Sequence, residues 1–143
     1  MSLFNVMNIA SSALKTQSNI MKITAENLAN VNTIIQQHGR KIPYRSKKII
    51  IKFNPSYEAK IIQNNYKNIG GIKSHIVENP LSKKLVYNPH HPLSDAKGYV
   101  LSSDVDIIAE NINAMEAARN YESNIEMLNT VKTMILKTLT IGQ

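Results

Sequence analysis

The 143-residue chain contains no cysteine and no tryptophan. The first absence excludes disulfides, thiolate metal sites and cysteine nucleophiles. Aromatic residues are only 6% of the chain, so a large aromatic interior is not expected. Glycine and proline are sparse at five each, and neither occurs in residues 1–38. No apolar run approaches the roughly 18 residues of a membrane span. The opening "MSLFNVMNIASSALK" has no basic stretch ahead of an apolar core, so it does not read as a secretory signal. Catalytic signatures are missing too. There is no HExxH or GxSxG, and Gly70–Gly71 lacks the Lys that would complete a phosphate-binding loop.

Acidic residues are also scarce, and their distribution is uneven. The net charge is +7. Residues 34–100 carry twelve Lys/Arg against three Asp/Glu, a balance of +9, whereas residues 101–143 carry three against six, a balance of −3. A basic middle region is one signature of a nucleic-acid patch. Here aromatics do not interleave with the lysines as stacking platforms would. Ile, Lys and Asn make up about a third of the chain, and all three have A/T-rich codons. Composition bias accounts for the charge, and no nucleic-acid partner is expected.

The remaining candidates for chemistry are weak. His90 and His91 sit in "NPHHP", where neighbouring side chains on extended backbone diverge instead of converging on a metal. The carboxylates at Asp104, Asp106, Glu110, Glu116, Glu122 and Glu126 all fall on one helical segment and read as a solvated stripe, not as a catalytic pair. No catalytic residue, metal or cofactor is expected.

What is present is helical periodicity at both ends. Met7, Ala10, Leu14, Gln17, Met21, Thr24, Leu28 and Val31 alternate spacings of three and four, the pattern of a heptad seam. A helix of about 28 residues would be roughly 42 Å long. A second stripe runs through Ile108, Ile112, Met115, Ala118, Tyr121, Ile125, Leu128, Val131, Ile135 and Leu139, with a drift near Ala118. Ser102, Ser103 and Asp104 offer caps for its start. Between the stripes the pattern changes. "YRSKKIIIKF" (44–53), Ile72–Val77, Lys84–Tyr87 and Gly98–Leu101 read as strands, and 54–69 as loop or hairpin.

The fold class is therefore α+β. Long N- and C-terminal helices pair as an antiparallel coiled coil, and a small β-rich module loops out at one end. The divisions are 1–33, 34–101 and 102–143. The stripes are wider than a two-helix seam needs, which predicts contacts with other subunits.

Several segments carry a resemblance. "AENLANVNT" (25–33) within an amphipathic helix, the loop "NPHHPLSDAKGYV" (88–100) and "NYESNIEMLNTVKTM" (120–134) resemble the axial proteins of the bacterial flagellum, the rod and hook group. The resemblance runs the length of the chain. It implies a structural subunit of the basal-body rod that polymerises through its terminal helices and transmits torque across the periplasm. It implies other rod proteins and copies of the chain as partners. It also implies passage through the flagellar type III export apparatus without a cleaved signal peptide, no membrane insertion, and termini that order on assembly. The expected assembly interface is Leu14, Met21, Asn27, Leu28, Asn30, Val31, Arg119, Tyr121, Ile125, Leu128 and Ile135. Within it, Asn27, Asn30, Arg119 and Tyr121 are the expected polar contacts between subunits. The rival class is a monomeric helical-hairpin adaptor or export chaperone.

Overall fold

A computed structural model describes residues 3–37, 40–54, 70–80 and 84–141. Helix α1 spans Leu3–Ala29 and helix α2 spans Ile107–Ile141. Between them lie strands β1 (Ile34–Gln37), β2 (Arg40–Pro43), β3 (Lys47–Asn54), β4 (Gly71–Glu78), β5 (Lys84–Tyr87) and β6 (Tyr99–Ser102). The strands form three separate antiparallel pairs, β1–β2, β3–β4 and β5–β6. The two helices pack on one another. Asn27 at the end of α1 bonds Glu110 at the start of α2, so the pairing is antiparallel. The α+β class is the one the sequence indicates.

Helix α2 begins later than the Ser102–Asp104 cluster suggests. Its cap is Asp106, whose Oδ1 accepts the Ile108 N–H at 2.9 Å and the Ala109 N–H at 3.3 Å. Two orphan donors of the first turn are thereby satisfied. The β1–β2 hairpin was not anticipated. The Tyr44 N–H closes it onto the Thr33 carbonyl at 3.0 Å. Residues 55–69, read above within a loop or hairpin, lie outside the described residues.

Two further expectations are corrected. The β module does not loop out at one end, because β3–β4 lies along α1. The Ile72 N–H donates to Ser12 Oγ at 3.1 Å, Asn19 donates to Ser74 Oγ at 3.0 Å, and Asn27 bonds Lys47. These anchors cover about 22 Å of helix, since each helical residue rises 1.5 Å. The second correction concerns α2. Its less exposed positions are Glu110, Ala114, Ala117, Ala118, Tyr121, Asn124, Leu128, Val131 and Ile135, which alternate four and three apart from Ala118. From Ala118 onward the expected stripe agrees at Ala118, Tyr121, Leu128, Val131 and Ile135, whereas Ile125 and Leu139 are exposed. Before Ala118 it lies on the wrong face: Ile108, Ile112 and Met115 are 72%, 52% and 70% exposed. Ala114 and Ala117 face α1 there instead.

The core is thin. Among the described residues the buried apolar side chains are Ala10, Ile23, Val100, Ala117 and Val131. The β5–β6 hairpin is fixed at its tip by Gly98, whose φ of 77° suits a residue without Cβ. The Tyr87 and Tyr99 rings pack edge to face beside it at 5.4 Å.

Candidate assembly surface

Among the described residues Asn27 is the largest fully buried side chain, with none of its surface exposed. Its amide uses every bond it has. Nδ2 donates to the Lys47 carbonyl at 2.8 Å and to Glu110 Oε1 at 3.0 Å. Oδ1 accepts from the Lys47 N–H at 3.0 Å and from the Tyr44 hydroxyl at 3.1 Å. A side-chain amide carries the same C=O and N–H pair as a strand, so Asn27 pairs with the first residue of β3 as a neighbouring strand would. One residue thus joins α1, β3, α2 and the Tyr44 linker. Asparagine is a poor helix former, and the four bonds offset that weakness. Beside the junction, Lys47 Nζ donates to Glu26 Oε2 at 3.0 Å in a partly exposed ion pair.

The junction gives a pH prediction. Burial raises the Tyr44 pKa above its usual 10.0, with the Lys47 cation opposing it. The hydrogen bond that Lys47 donates to Glu26, together with the Glu26 charge, raises the Lys47 pKa above 10.5. Both folded values exceed the unfolded ones. The stability each contributes is therefore present below about pH 10 and lost as pH rises through the folded values. Tm is expected to hold between pH 7 and 9 and to fall above about pH 10. Tyr44→Phe should lower stability by about 1 kcal/mol at pH 7 and flatten the alkaline fall. Unchanged alkaline steepness in the variant would count against this role for Tyr44.

Ser12, Asn19 and Asn27 form a polar line on α1 that holds the β3–β4 hairpin. The sequence signal was their recurrence at spacings of seven and eight, the mark of a second helix face. The hydroxyls of Thr16 and Thr24, also buried, bond carbonyls of the preceding turn. Thr24 fills a seam position and Thr16 lies beside the seam at Gln17, and neither leaves its hydroxyl unpaired.

The expected interface residues divide into three groups. Leu14, Met21, Leu28, Tyr121, Leu128 and Ile135 are half-buried along the helices, and Val31 is half-buried in the turn after α1. Arg119 and Ile125 are exposed. Asn27 and Asn30 both bond within their own chain. Asn27 has no bond left for a neighbour, and the Asn30 amide is used locally, donating to the Glu26 carbonyl at 2.8 Å and accepting from Thr33 Oγ1 at 3.2 Å.

A groove of about 510 Å³ separates α1, α2 and β3, lined among others by Ile20, Ile23, Lys48, Ile51 and Glu116. It mixes aliphatic, amide and charged groups without a cluster aimed at one point. Among the described residues no group of three or more His, Asp or Glu side chains converges as metal ligands would. His91 is occupied in its own turn, where Nδ1 accepts the Leu93 N–H at 3.1 Å. No helix among the described residues is long and apolar enough to cross a membrane.

Two paired terminal helices with an uncovered apolar stripe describe a surface made for other protein chains, and comparison with known proteins says which kind. Residues 7–34 match the family described as flagella basal body rod protein. Residues 96–141 match the C-terminal family described as flagellar basal body rod FlgEFG protein. The whole chain aligns with the whole of flagellar basal-body rod protein FlgC from Buchnera aphidicola subsp. Baizongia pistaciae, at 46% identity. FlgC of Escherichia coli O6:H1 and of Salmonella typhimurium align over the full length of both chains at 43% and 42%. The chain belongs to the FlgC family of flagellar basal-body rod proteins.

It is accordingly a structural subunit of the flagellar basal-body rod. The two family matches fall on the two helices and their flanks, 7–34 and 96–141. The α1 match ends with the Asn27 junction and its turn. The α2 match begins at the Gly98 hairpin tip.

Proposed function

We propose that this FlgC-family subunit polymerises through its terminal helices and transmits torque along the rod across the periplasm. The helix pair 1–33 with 102–143 forms the assembling part, and 34–101 packs outside it. The observation that carries this reading is the surface the single chain leaves uncovered. On α2 alone Ile108, Ile112, Met115, Leu136 and Leu139 are 72%, 52%, 70%, 53% and 66% exposed, a run of apolar surface larger than a self-sufficient monomer ordinarily leaves to water. A core of five small or medium apolar side chains supplies little stability by itself, so neighbours must supply the rest. Torsional rigidity then comes from helices packed on both sides. The partners are other rod proteins and further copies of this chain. The chain reaches them through the flagellar type III export apparatus and keeps its N-terminus.

The test is replacement in a host lacking its own rod protein of this family. The native gene should restore complete basal bodies and swimming. Leu128→Asp with Val131→Asp should abolish both, because a carboxylate in the seam is buried without a partner. The N-terminus of the rod-incorporated chain should be uncleaved. Basal bodies that form without the chain would defeat the proposal.

A further inference from the structure

Strands alternate their side chains between faces. On β3, Lys47, Ile49 and Ile51 face the helices and line the groove. By alternation Lys48, Ile50 and Lys52 belong to the opposite face, although the Lys48 side chain also borders the groove, and their partners across β4 are Val77, His75 and Lys73. Ile50 and Val77 are exposed there. No carboxylate lies on this face. Lys52 stands directly opposite Lys73, an arrangement of like charges that costs stability in an isolated sheet. A face of this kind calls for an acidic partner with an apolar centre.

The chain carries such a surface elsewhere. The exposed stripe of α2 starts with Ile108, Ile112 and Met115. At helical spacing it continues through Arg119 and Glu122 to Glu126, all three exposed, while the neighbouring Glu116 borders the groove between α1, α2 and β3. Two acids against one base make it net acidic. It lies on the side of α2 opposite the seam that meets α1. The basic face of β3–β4 likewise points away from the helices, so the two cannot meet within one chain.

We infer that the outward face of β3–β4 on one copy docks on the outward stripe of α2 on a second copy. Ile50 and Val77 cover Ile112 and Met115, while Lys52 and Lys73 reach Glu122 and Glu126. The contact joins two different patches, so it is heterologous and builds an open helical array instead of a closed dimer. This deepens the assembly reading above and rests on it.

Charge exchange tests it. Lys52→Glu with Lys73→Glu makes one reversed chain. Glu122→Lys with Glu126→Lys makes the other. The native chain should self-associate in sedimentation, less so at high salt. Each reversed chain should self-associate at least tenfold more weakly, with an unchanged circular dichroism spectrum. An equimolar mixture of the two, and a chain carrying all four changes, should associate like the native protein. Absence of native self-association, indifference to either reversal, or no recovery on mixing overturns the inference. The replacement assay separates the two failures. If the native gene restores basal bodies and each reversed chain does so equally well, the copy-to-copy contact is wrong and the rod reading stands. If the native gene does not restore them, the rod reading itself has failed.

Discussion

Asn27→Ala is expected to destabilise the chain by about 3 kcal/mol or more. The deletion creates little cavity, but it strands the N–H and C=O of Lys47 and takes a donor from Glu110 and an acceptor from Tyr44. A buried polar group left without a partner costs about 1–3 kcal/mol, and two backbone groups lose theirs at once. Ala is the better helix former by a few tenths of a kcal/mol, which does not compensate. Asn27→Asp should be worse at neutral pH. A carboxylate cannot donate to the Lys47 carbonyl, and it would face the Glu110 carboxylate at the 3.0 Å now spanned by a hydrogen bond. Burial beside another acid raises the pKa of the new side chain. Its protonated form, present at low pH, can donate again, so the deficit of Asn27→Asp relative to the native chain should shrink as pH falls from 7 to 4. Denaturant unfolding followed by circular dichroism measures both effects. An Ala variant within about 0.5 kcal/mol of native, the range of an ordinary surface change, would refute the junction's importance.

This residue also shows where the sequence was readable. Heptad spacing located both helices, and β-branched runs located β3 to β6, because periodicity is set by the local backbone. The antiparallel pairing followed from two stripes that needed cover. The partner of each polar residue was not readable. Asn27 sits beside the seam in the pattern, which is compatible with a bond to another subunit or to the same chain. Only the path of the backbone, which brings Lys47 back across α1, decides between them. The same limit explains the first half of the α2 stripe. Ile108, Ile112 and Met115 are more apolar than Glu110, Ala114 and Ala117, so a reading based on hydrophobicity chooses the former. The fold packs the alanines inward where α1, α2 and β3 converge, and puts a glutamate where Asn27 needs an acceptor. The aliphatic residues are left for an outside surface, the expected outcome for a chain whose partners are not part of it.

Gly71 is the position where the closeness of helix and sheet is most sensitive. A Cβ built on it would lie 2.7 Å from Ser12 Oγ and 3.3 Å from Ser12 Cβ. Elsewhere Gly→Ala stabilises by about 0.4–1 kcal/mol, since it restricts the unfolded chain. Here an overpacked contact costs about 1–3 kcal/mol, so the sign reverses. Ser12 cannot swing clear without loss, because its hydroxyl donates to the Ile9 carbonyl at 2.7 Å and accepts the Ile72 N–H at 3.1 Å. Gly71→Val should cost more than Gly71→Ala and lift β4 from α1, exposing the Ile72 amide to hydrogen exchange. The decisive measurement is a double-mutant cycle. Ser12→Ala alone strands the Ile72 N–H and costs about 1 kcal/mol or more. It also removes the atom that blocks the new methyl group, so Gly71→Ala should cost at least about 1 kcal/mol less in the Ser12→Ala background than in the native one. Additivity of the two substitutions would mean that the sheet does not rest on the helix at this point, and that the polar line from Ser12 to Asn27 is not what holds it.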